Sequence, residues 1–303
     1  ITIRKYRDII MSPKFNIKNI GFIGLGVMGM PMCINLSKKE GFNVTGFDIN
    51  KEKNKILIKS GLKTALNAKD IFENNDLVIT CLPGGKFVKK LYFQDKMISL
   101  VRKNQIIIDM STSHPDLMKK INTKIKEKKS SFADAPIART RQAAIDGKLA
   151  IMVGSDQVVF ESIKPVLELV GSDIIHCGDV GSGQFTKILN NMVLFQNVLA
   201  LSEASKIAER YNLDCGQLFQ NISKCSGDSF ALKNHGLKSI IKDNYPNPAF
   251  SVKYAQKDLS YAIDLAKKQN INTPGCNNLN ELFTKAINEG YGDLYFPVIK
   301  KIL

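Results

Sequence analysis

Short apolar runs alternate with segments of helical periodicity through the first half of the chain. The pattern predicts strands at Ile17–Leu25, Asn43–Asp48, Asp76–Leu82, Gln105–Asp109, Ser131–Ala135, Leu149–Val153 and Asp173–Cys177. It predicts helices at Met30–Lys39, Lys51–Ser60 and Pro115–Lys128. Strands that alternate with helices form βαβ units. The first half is therefore predicted to be an α/β domain with a parallel, doubly wound sheet.

The pattern changes near Gly178, after which no strand alternation is found. One long helical pattern runs from Gly183 to about Tyr211, and its apolar centre, Met192–Leu201, predicts burial on more than one side. Further helical segments are predicted at Gly216–Lys224, Ser251–Asn270, Asn277–Asn288 and Asp293–Leu303. We therefore divide the chain into an N-terminal extension (1–16), an α/β domain (17–180) and an all-helical domain (181–303).

Composition excludes several classes of protein. The chain has 303 residues, of which 44% are hydrophobic and 23% charged, which is typical of a globular protein and unlike a disordered chain. No run of eighteen apolar residues occurs, so no membrane span is expected. The formal net charge of +15 comes from lysines spread along the chain rather than from an arginine-rich tract. We therefore expect solvated basic surfaces and no nucleic-acid partner.

The cysteines and histidines predict neither disulfides nor a metal site. Six cysteines and three histidines occur without any C-x-x-C or zinc-ligand spacing. Buried free thiols in a reducing cytoplasm are the expected state. The first ten residues are charged and lack a long apolar core, so no signal peptide is expected, and Met11-Ser12-Pro13 is a plausible native start.

A dinucleotide-binding motif follows the first predicted strand. Gly24, Gly26 and Gly29 form a G-x-G-x-x-G with Val27 and Met28 between the second and third glycines, at the point where the first helix opens. Glycines there permit a tight turn, close approach to a pyrophosphate, and close packing of helix and strand. Asp48 ends the second strand, where a carboxylate binds the ribose hydroxyls and disfavours NADP. The motif predicts NAD(H) as cofactor.

The start of the long helix carries a polar group of residues. Lys187, Asn190 and Asn191 lie at i, i+3 and i+4 and therefore share one helix face. Desolvation lowers the pKa of a lysine in an apolar setting, and such a lysine serves as general acid or base at a carbonyl oxygen. The alternative interpretation is an exposed lysine above two surface amides, and the spacing alone leaves both open.

These motifs together resemble the β-hydroxyacid dehydrogenase family, which includes 3-hydroxyisobutyrate dehydrogenase. The resemblance runs from about Ile20 to the C-terminus through four blocks: Gly21–Met32, Asp134–Gly154, Gly181–Asn191 and Lys257–Leu259. It implies a Rossmann-like domain followed by a helical domain, joined by a long helix. It also implies a catalytic role for Lys187 and a substrate-binding role for Asn190 and Asn191. On the cofactor it implies contacts from Leu82, Pro83, Thr112 and Lys257.

One loop departs from the family pattern. Most members have Ser-Gly-Gly after the Asp-Ala-Pro-x segment, where this chain has Ala138-Arg139-Thr140-Arg141. The variant is similar to the Gly-Arg-Thr-Ser loop of sulfolactaldehyde reductase. A guanidinium suits a tetrahedral oxyanion, so Arg139, with Thr140 beside it, is the predicted specificity residue. The alternative is that Arg139 pairs with a carboxylate such as Asp134 and never meets substrate.

The resulting hypothesis is an NAD-dependent enzyme that interconverts a short anionic aldehyde and its hydroxyacid, with sulfolactaldehyde or a carboxylate semialdehyde as substrate. A non-catalytic dinucleotide-binding module is the second hypothesis, and the intact Lys187 argues against it. A 6-phosphogluconate dehydrogenase would be much longer, and an imine reductase would usually lack the lysine. Because the apolar helices of the second domain need burial, we expect a homodimer or homotetramer.

Overall fold

The computed structural model describes residues 15–247 and 249–303. The proposed start at Met11 and most of the proposed N-terminal extension (1–16) lie outside the described residues. The chain divides into two compact units, the first ending at Lys187 and the second comprising Ile188–Leu303. The helix α8, Ser182–Arg210, begins in the first unit and ends in the second. The domain boundary predicted at residue 180 remains a prediction, seven residues before the end of the first compact unit.

The first unit is built on one nine-stranded sheet. Its strands are β1 (Asn19–Ile23), β2 (Asn43–Phe47), β3 (Lys63–Thr64), β4 (Leu77–Thr80), β5 (Ile106–Asp109), β6 (Ser131–Asp134), β7 (Ile137–Ala138), β8 (Leu149–Gly154) and β9 (Gly171–Gly178). The order β3-β2-β1-β4-β5-β6 is parallel throughout. Beyond it, β8 pairs antiparallel with β6 and β7 and parallel with β9. The expected parallel sheet is thus mixed at this side, because the chain reverses after β6.

Helices cover both faces of this sheet. They are α1 (Gly29–Ser37), α2 (Lys51–Lys59), α3 (Ala68–Asn74), α4 (Gly85–Lys89), α5 (Pro115–Glu127), α6 (Arg141–Ile145) and α7 (Gln157–Leu167). Side chains of a strand alternate between faces. Ile106 and Ile108 therefore join the core under α1, α2 and α7, while Ile107 joins a second core with Ile71 of α3 and Ile121 of α5. This two-sided burial is the doubly wound arrangement that the apolar runs predict.

The second unit is helical. After α8 come α9 (Cys215–Ile222), a π-helical segment (Leu232–Ile240), α10 (Val252–Lys268), α11 (Pro274–Ala286), a further π-helical segment (Ile287–Tyr291) and a 3-10 segment (Phe296–Ile302). Its core surrounds Phe195 of α8, whose ring centroid lies 5.1 Å from that of Phe296 and 5.9 Å from that of Phe283. Within residues 15–247 and 249–303, no helix has both the length and the apolar character that a membrane crossing requires.

Further details differ from the expectations. The helix predicted from Asp293 begins only at Phe296, because Tyr295 forms an isolated antiparallel bridge with Ser251. The π-helical segment at Leu232–Ile240 was not predicted. All six cysteines carry free thiols, but only Cys33 and Cys276 are buried, so the prediction that all of them are buried was wrong.

A buried polar network lies at the carboxyl ends of β4 and β5. Asp109 is fully buried, and one of its carboxylate oxygens accepts hydrogen bonds from the Thr80 hydroxyl at 2.6 Å and the Ser111 hydroxyl at 3.2 Å. Burial raises the pKa of Asp109 from 3.8 to about 7, although the hydrogen bonds from Thr80 and Ser111 oppose that rise. This carboxyl group therefore binds its proton more tightly in the folded chain than in the unfolded chain.

We expect Asp109→Asn to remove one component of the pH dependence of stability. Since the pKa is raised on folding, the contribution of Asp109 to the free energy of unfolding falls as the pH rises from about 4 to about 7 and is constant above that range. One such group contributes a slope of at most about 1.4 kcal/mol per pH unit. Urea unfolding of both proteins at pH 4.5, 5.5, 6.5 and 7.5 measures the difference. A difference in stability that does not change with pH would contradict the assignment.

Candidate active site

The glycine-rich turn after β1 fits a dinucleotide. Gly24 has a φ of +99°, and a Cβ there would collide with the Cys81 carbonyl oxygen. A Cβ on Gly29 would collide with the Gly24 carbonyl oxygen, so α1 can begin this close to the turn only with glycine. A Cβ on Gly26 would meet nothing within 4 Å, and Gly26 and Val27 are exposed. Open space in front of a helix N-terminus is what a pyrophosphate requires, so these residues fit the cofactor.

Asp48 holds this turn to the end of β2. Its two carboxylate oxygens accept hydrogen bonds from the Leu25 N–H at 2.7 Å and from the Asn50 N–H at 2.8 Å. Each oxygen of a carboxylate has a second acceptor position, so Asp48 retains capacity for ribose hydroxyls. The half-buried Asp48 thus stabilises the turn. Its predicted binding of the ribose hydroxyls remains a prediction.

The loops after β4 and β5 are tied to one another beside this turn. The Leu82 N–H donates to the Ser111 hydroxyl at 2.9 Å, and the Ser111 N–H donates to Asp109 at 3.1 Å. Pro83 is exposed and Thr112 is half-buried. Both loops leave the carboxyl edge of the sheet, the edge at which doubly wound folds bind their ligands.

Asp134, at the end of β6, holds the N-terminus of α8 against the same edge. Its two carboxylate oxygens accept the Gly181 N–H at 2.6 Å and the Gln184 N–H at 2.8 Å. Burial raises the pKa of Asp134 to about 6, while these hydrogen bonds favour the ionised form. A Cβ on Gly154 or Gly183 would enter this contact, so glycine is required at both positions. The sheet therefore determines where α8 begins.

Lys187 lies in the second turn of α8 and is 8% exposed. Asn191, one turn further along the helix, is 2% exposed, whereas Asn190 is exposed and donates to the Asn191 side-chain oxygen at 3.2 Å. The alternative interpretation of an exposed lysine above two surface amides is therefore wrong for Lys187 and Asn191. Burial of a lysine side chain near a helix N-terminus has a desolvation cost.

In the second unit, a buried aspartate connects two predicted site residues. Asp258, 1% exposed, accepts a hydrogen bond from the Asn191 side-chain amide at 2.8 Å through one oxygen. Its other oxygen lies 3.0 Å from the Lys257 Nζ. Lys257 also lies over the Tyr254 ring, 5.4 Å from its centroid. Asp258 thereby orients both the amide and the lysine.

Arg139 pairs with Asp173 rather than with Asp134, the carboxylate that the sequence suggested. It lies in the left-handed region with a φ of +87°. One terminal nitrogen donates to the Lys148 carbonyl and to the Ser172 hydroxyl, both at 2.7 Å, and the other pairs with Asp173 at 2.7 Å. Ser172 and Arg139 hold the pKa of Asp173 below its ordinary value. Thr140 is exposed and accepts a hydrogen bond from the Ala143 N–H at the start of α6.

The first unit thus contains the glycine turn with Met28, together with Asp48, Leu82, Pro83, Thr112 and Lys187, while Asn190, Asn191 and Lys257 belong to the second unit. Sequence reasoning assigned no positioning role to the groups that hold these residues in place, which are Asp109, Asp134, Gln184 and Asp258. Asp134 carried one usable signal, since it begins one of the four blocks of the family resemblance. In the described part of the chain, no group of three or more His, Cys, Asp or Glu side chains could hold a metal ion.

Two family models cover nearly all of the described chain. The NAD binding domain of 6-phosphogluconate dehydrogenase matches residues 19–178. The NAD-binding domain of NADP-dependent 3-hydroxyisobutyrate dehydrogenase matches residues 181–300.

Characterised relatives agree with these matches. The chain is 33% identical to 2-(hydroxymethyl)glutarate dehydrogenase of Eubacterium barkeri, over 90% of each chain. It is 33% identical to the mitochondrial 3-hydroxyisobutyrate dehydrogenase of Drosophila melanogaster, over 97% of this chain and 91% of the relative. The structure of Mycobacterium tuberculosis 3-hydroxyisobutyrate dehydrogenase with L-serine matches with a TM-score of 0.86 at 29% identity, over 94% of this chain and 99% of that one.

The glycine-rich turn, the buried lysine of α8 and the matches to both units lead to one conclusion. The chain belongs to the β-hydroxyacid dehydrogenase family of NAD(P)-dependent oxidoreductases.

Proposed function

We propose that this enzyme uses NADH to reduce a short anionic aldehyde to its hydroxyacid, and catalyses the reverse reaction with NAD. The observation that carries the proposal is the position of Lys187. It is buried in the second turn of a helix whose N-terminus Asp134 fixes at the carboxyl edge of the sheet. The glycine-rich turn leaves that same edge. Relatives named as 2-(hydroxymethyl)glutarate and 3-hydroxyisobutyrate dehydrogenases support the substrate class.

Different residues of the chain are proposed to bind the ligands and to transfer the proton. The turn at Gly24, Gly26 and Gly29 would hold the pyrophosphate of NAD(H), which when bound would supply hydride chemistry at the nicotinamide. The Lys187 Nζ donates a proton to the carbonyl oxygen during reduction and removes it from the alcohol during oxidation. Asn190 and Asn191 orient the substrate, and Asp258 fixes Asn191 by the hydrogen bond at 2.8 Å. The resemblance assigns Lys257 to cofactor binding, and that role remains a prediction.

We expect Lys187→Met to reduce kcat by ~10²- to 10⁴-fold, the usual contribution of a general acid. NADH binding, measured by fluorescence titration, should remain within about threefold of wild type, because the pyrophosphate is held by the glycine turn. Lys300→Met is the matched control, since the Lys300 side chain is only 11% exposed and pairs with Glu209 far along the sequence from the proposed site. Equal losses of kcat in both variants would contradict a chemical role for Lys187.

The preference for NAD over NADP follows from the charge of Asp48. A carboxylate at the end of β2 accepts ribose hydroxyls and repels a 2′-phosphate. Both Asp48 oxygens also accept hydrogen bonds from backbone N–H groups, which hold the side chain in place. The carboxylate would therefore remain close to the 2′-phosphate of a bound NADP.

We expect Asp48→Asn to shift the ratio of kcat/KM for NADPH to kcat/KM for NADH by at least about tenfold towards NADPH, or ~1.4 kcal/mol. Asp76→Asn is the matched control, because the Asp76 carboxylate also accepts two backbone N–H groups, those of Lys18 and Asn19, but at the amino edge of the sheet. If both variants gave the wild-type ratio, Asp48 would not set the cofactor preference.

The anionic group of the substrate is proposed to be a carboxylate. Arg139 uses three of its five N–H donors on Lys148, Ser172 and Asp173, so binding a sulfonate through this side chain requires the ion pair to open. The roles predicted for Arg139 and Thr140 in sulfolactaldehyde recognition remain predictions. They are tested together with the identity of the substrate.

We expect methylmalonate, tartronate or succinate semialdehyde to be reduced with a higher kcat/KM than sulfolactaldehyde. We also expect Arg139→Gly to leave KM for the best substrate within about threefold, because the φ of +87° suits glycine and the guanidinium lies on β9. NADH oxidation rates across the four aldehydes decide the question. A preference for the sulfonate together with a KM at least tenfold higher in Arg139→Gly would instead place Arg139 on the substrate.

Self-association is part of the proposal. In the second unit, α8 exposes Val193 (53%) and Ile207 (61%), and Tyr211 just beyond its end is 76% exposed. An interface in a homodimer or homotetramer would remove such apolar side chains from water.

A further inference from the structure

Gln184 is a polar residue of the first unit that the mechanism above does not use. It is 0% exposed and lies in the first turn of α8, three residues before Lys187. Its backbone N–H donates to Asp134 at 2.8 Å. Burial of a primary amide is unfavourable unless its groups are hydrogen-bonded, so the partners of this side chain indicate what it does.

The side chain of Gln184 binds both peptide groups that flank Thr112. Its Nε2 donates to the Ser111 carbonyl oxygen at 2.7 Å, and its Oε1 accepts the Ser113 N–H at 2.9 Å. One side-chain amide therefore pairs with the backbone on both sides of Thr112, as a neighbouring β-strand would. Both peptide groups of Thr112 are held in place by these two hydrogen bonds.

Two predicted functional positions are thereby connected through one residue. Thr112 belongs to the loop after β5 that is expected beside the nicotinamide, and Lys187 is the proposed proton donor. The main chain of Gln184 is part of the lysine's helix, and its side chain holds the loop. A shift of either element relative to the other would stretch or break the hydrogen bonds at 2.7 Å and 2.9 Å.

A second buried glutamine shows what a purely structural role would look like. Gln105 is 2% exposed and its Nε2 donates to the Phe72 and Asn75 carbonyls at 2.7 Å and 2.8 Å. Its Oε1 accepts the Arg102 N–H at 3.1 Å. Gln105 immediately precedes β5, whereas the loop held by Gln184 follows β5, so the two residues lie at opposite edges of the sheet. Their hydrogen bonding and burial are similar, and their distance from the proposed chemistry differs.

We propose that Gln184 is a positioning residue for hydride transfer. It sets the position of the Thr112 loop relative to Lys187. The inference rests on the proposed function, because it assigns roles to both of those residues. Misplacement of reacting groups by about 1 Å costs up to ~10²-fold in rate. Loss of the Gln184 amide should therefore reduce the rate of the chemical step without removing any group that touches substrate.

The test compares Gln184→Met with Gln105→Met in the 303-residue chain. Both changes keep the side-chain length and remove a buried amide, so both should lower the thermal midpoint. Kinetics are measured at a temperature where both variants are folded by circular dichroism, with the best aldehyde of the panel. For Gln184→Met we expect kcat to fall ~10- to 100-fold. We also expect an increased isotope effect on kcat with 4-deuterated NADH, and an NADH Kd within about threefold of wild type.

The outcomes separate this inference from the proposed function. Wild-type kcat in Gln184→Met, or an equal loss of kcat in Gln105→Met, overturns the role of Gln184 while leaving the enzyme assignment intact. A wild-type protein that reduces none of the aldehydes, or an active Lys187→Met variant, overturns the proposed function and the inference with it. A loss of kcat confined to Gln184→Met, with NADH binding retained, supports both.

Discussion

The buried carboxylate of Asp134 at the N-terminus of α8 is the contact on which the proposed active site depends. A carboxylate at this end of a helix satisfies N–H groups that have no partner within the helix and interacts favourably with the helix dipole. Here it accepts two of them, from Gly181 and Gln184. Since Asp134 ends a strand of the sheet, the position of Lys187 is determined by the sheet rather than by the helix alone.

Two buried acidic side chains lie on neighbouring strands at the same edge of the sheet. Asp109 and Asp134 are register partners on β5 and β6, and burial raises the pKa of both. Hydrogen bonds from Thr80, Ser111, Gly181 and Gln184 offset part of the cost of removing these carboxyl groups from water. The result is a hydrogen-bonded polar layer beneath the loops that are proposed to meet cofactor and substrate.

Much of the architecture was predictable because it depends on local patterns. Alternating apolar runs and helical periods identified the strands β1, β2, β4, β5, β6, β8 and β9 and the helices α1, α2 and α5, and the glycine spacing identified the turn after β1. The mixed pairing of β8 was not predictable, since no local pattern distinguishes a strand that reverses after β6 from one that continues the parallel order. The π-helical type of Leu232–Ile240 and Ile287–Tyr291 was not predicted either.

By itself the sequence determined the residue types of the candidate site: the glycines, Asp48, Lys187 and the two asparagines. The tertiary structure alone decided which groups hold them in place, because those contacts join residues far apart in the chain. Gln184 meets Ser111 and Ser113 across 73 and 71 positions, and Asn191 meets Asp258 across 67. It also decided that Arg139 pairs with Asp173, since a guanidinium binds whichever carboxylate the sheet brings near, and sequence spacing contains no such distance.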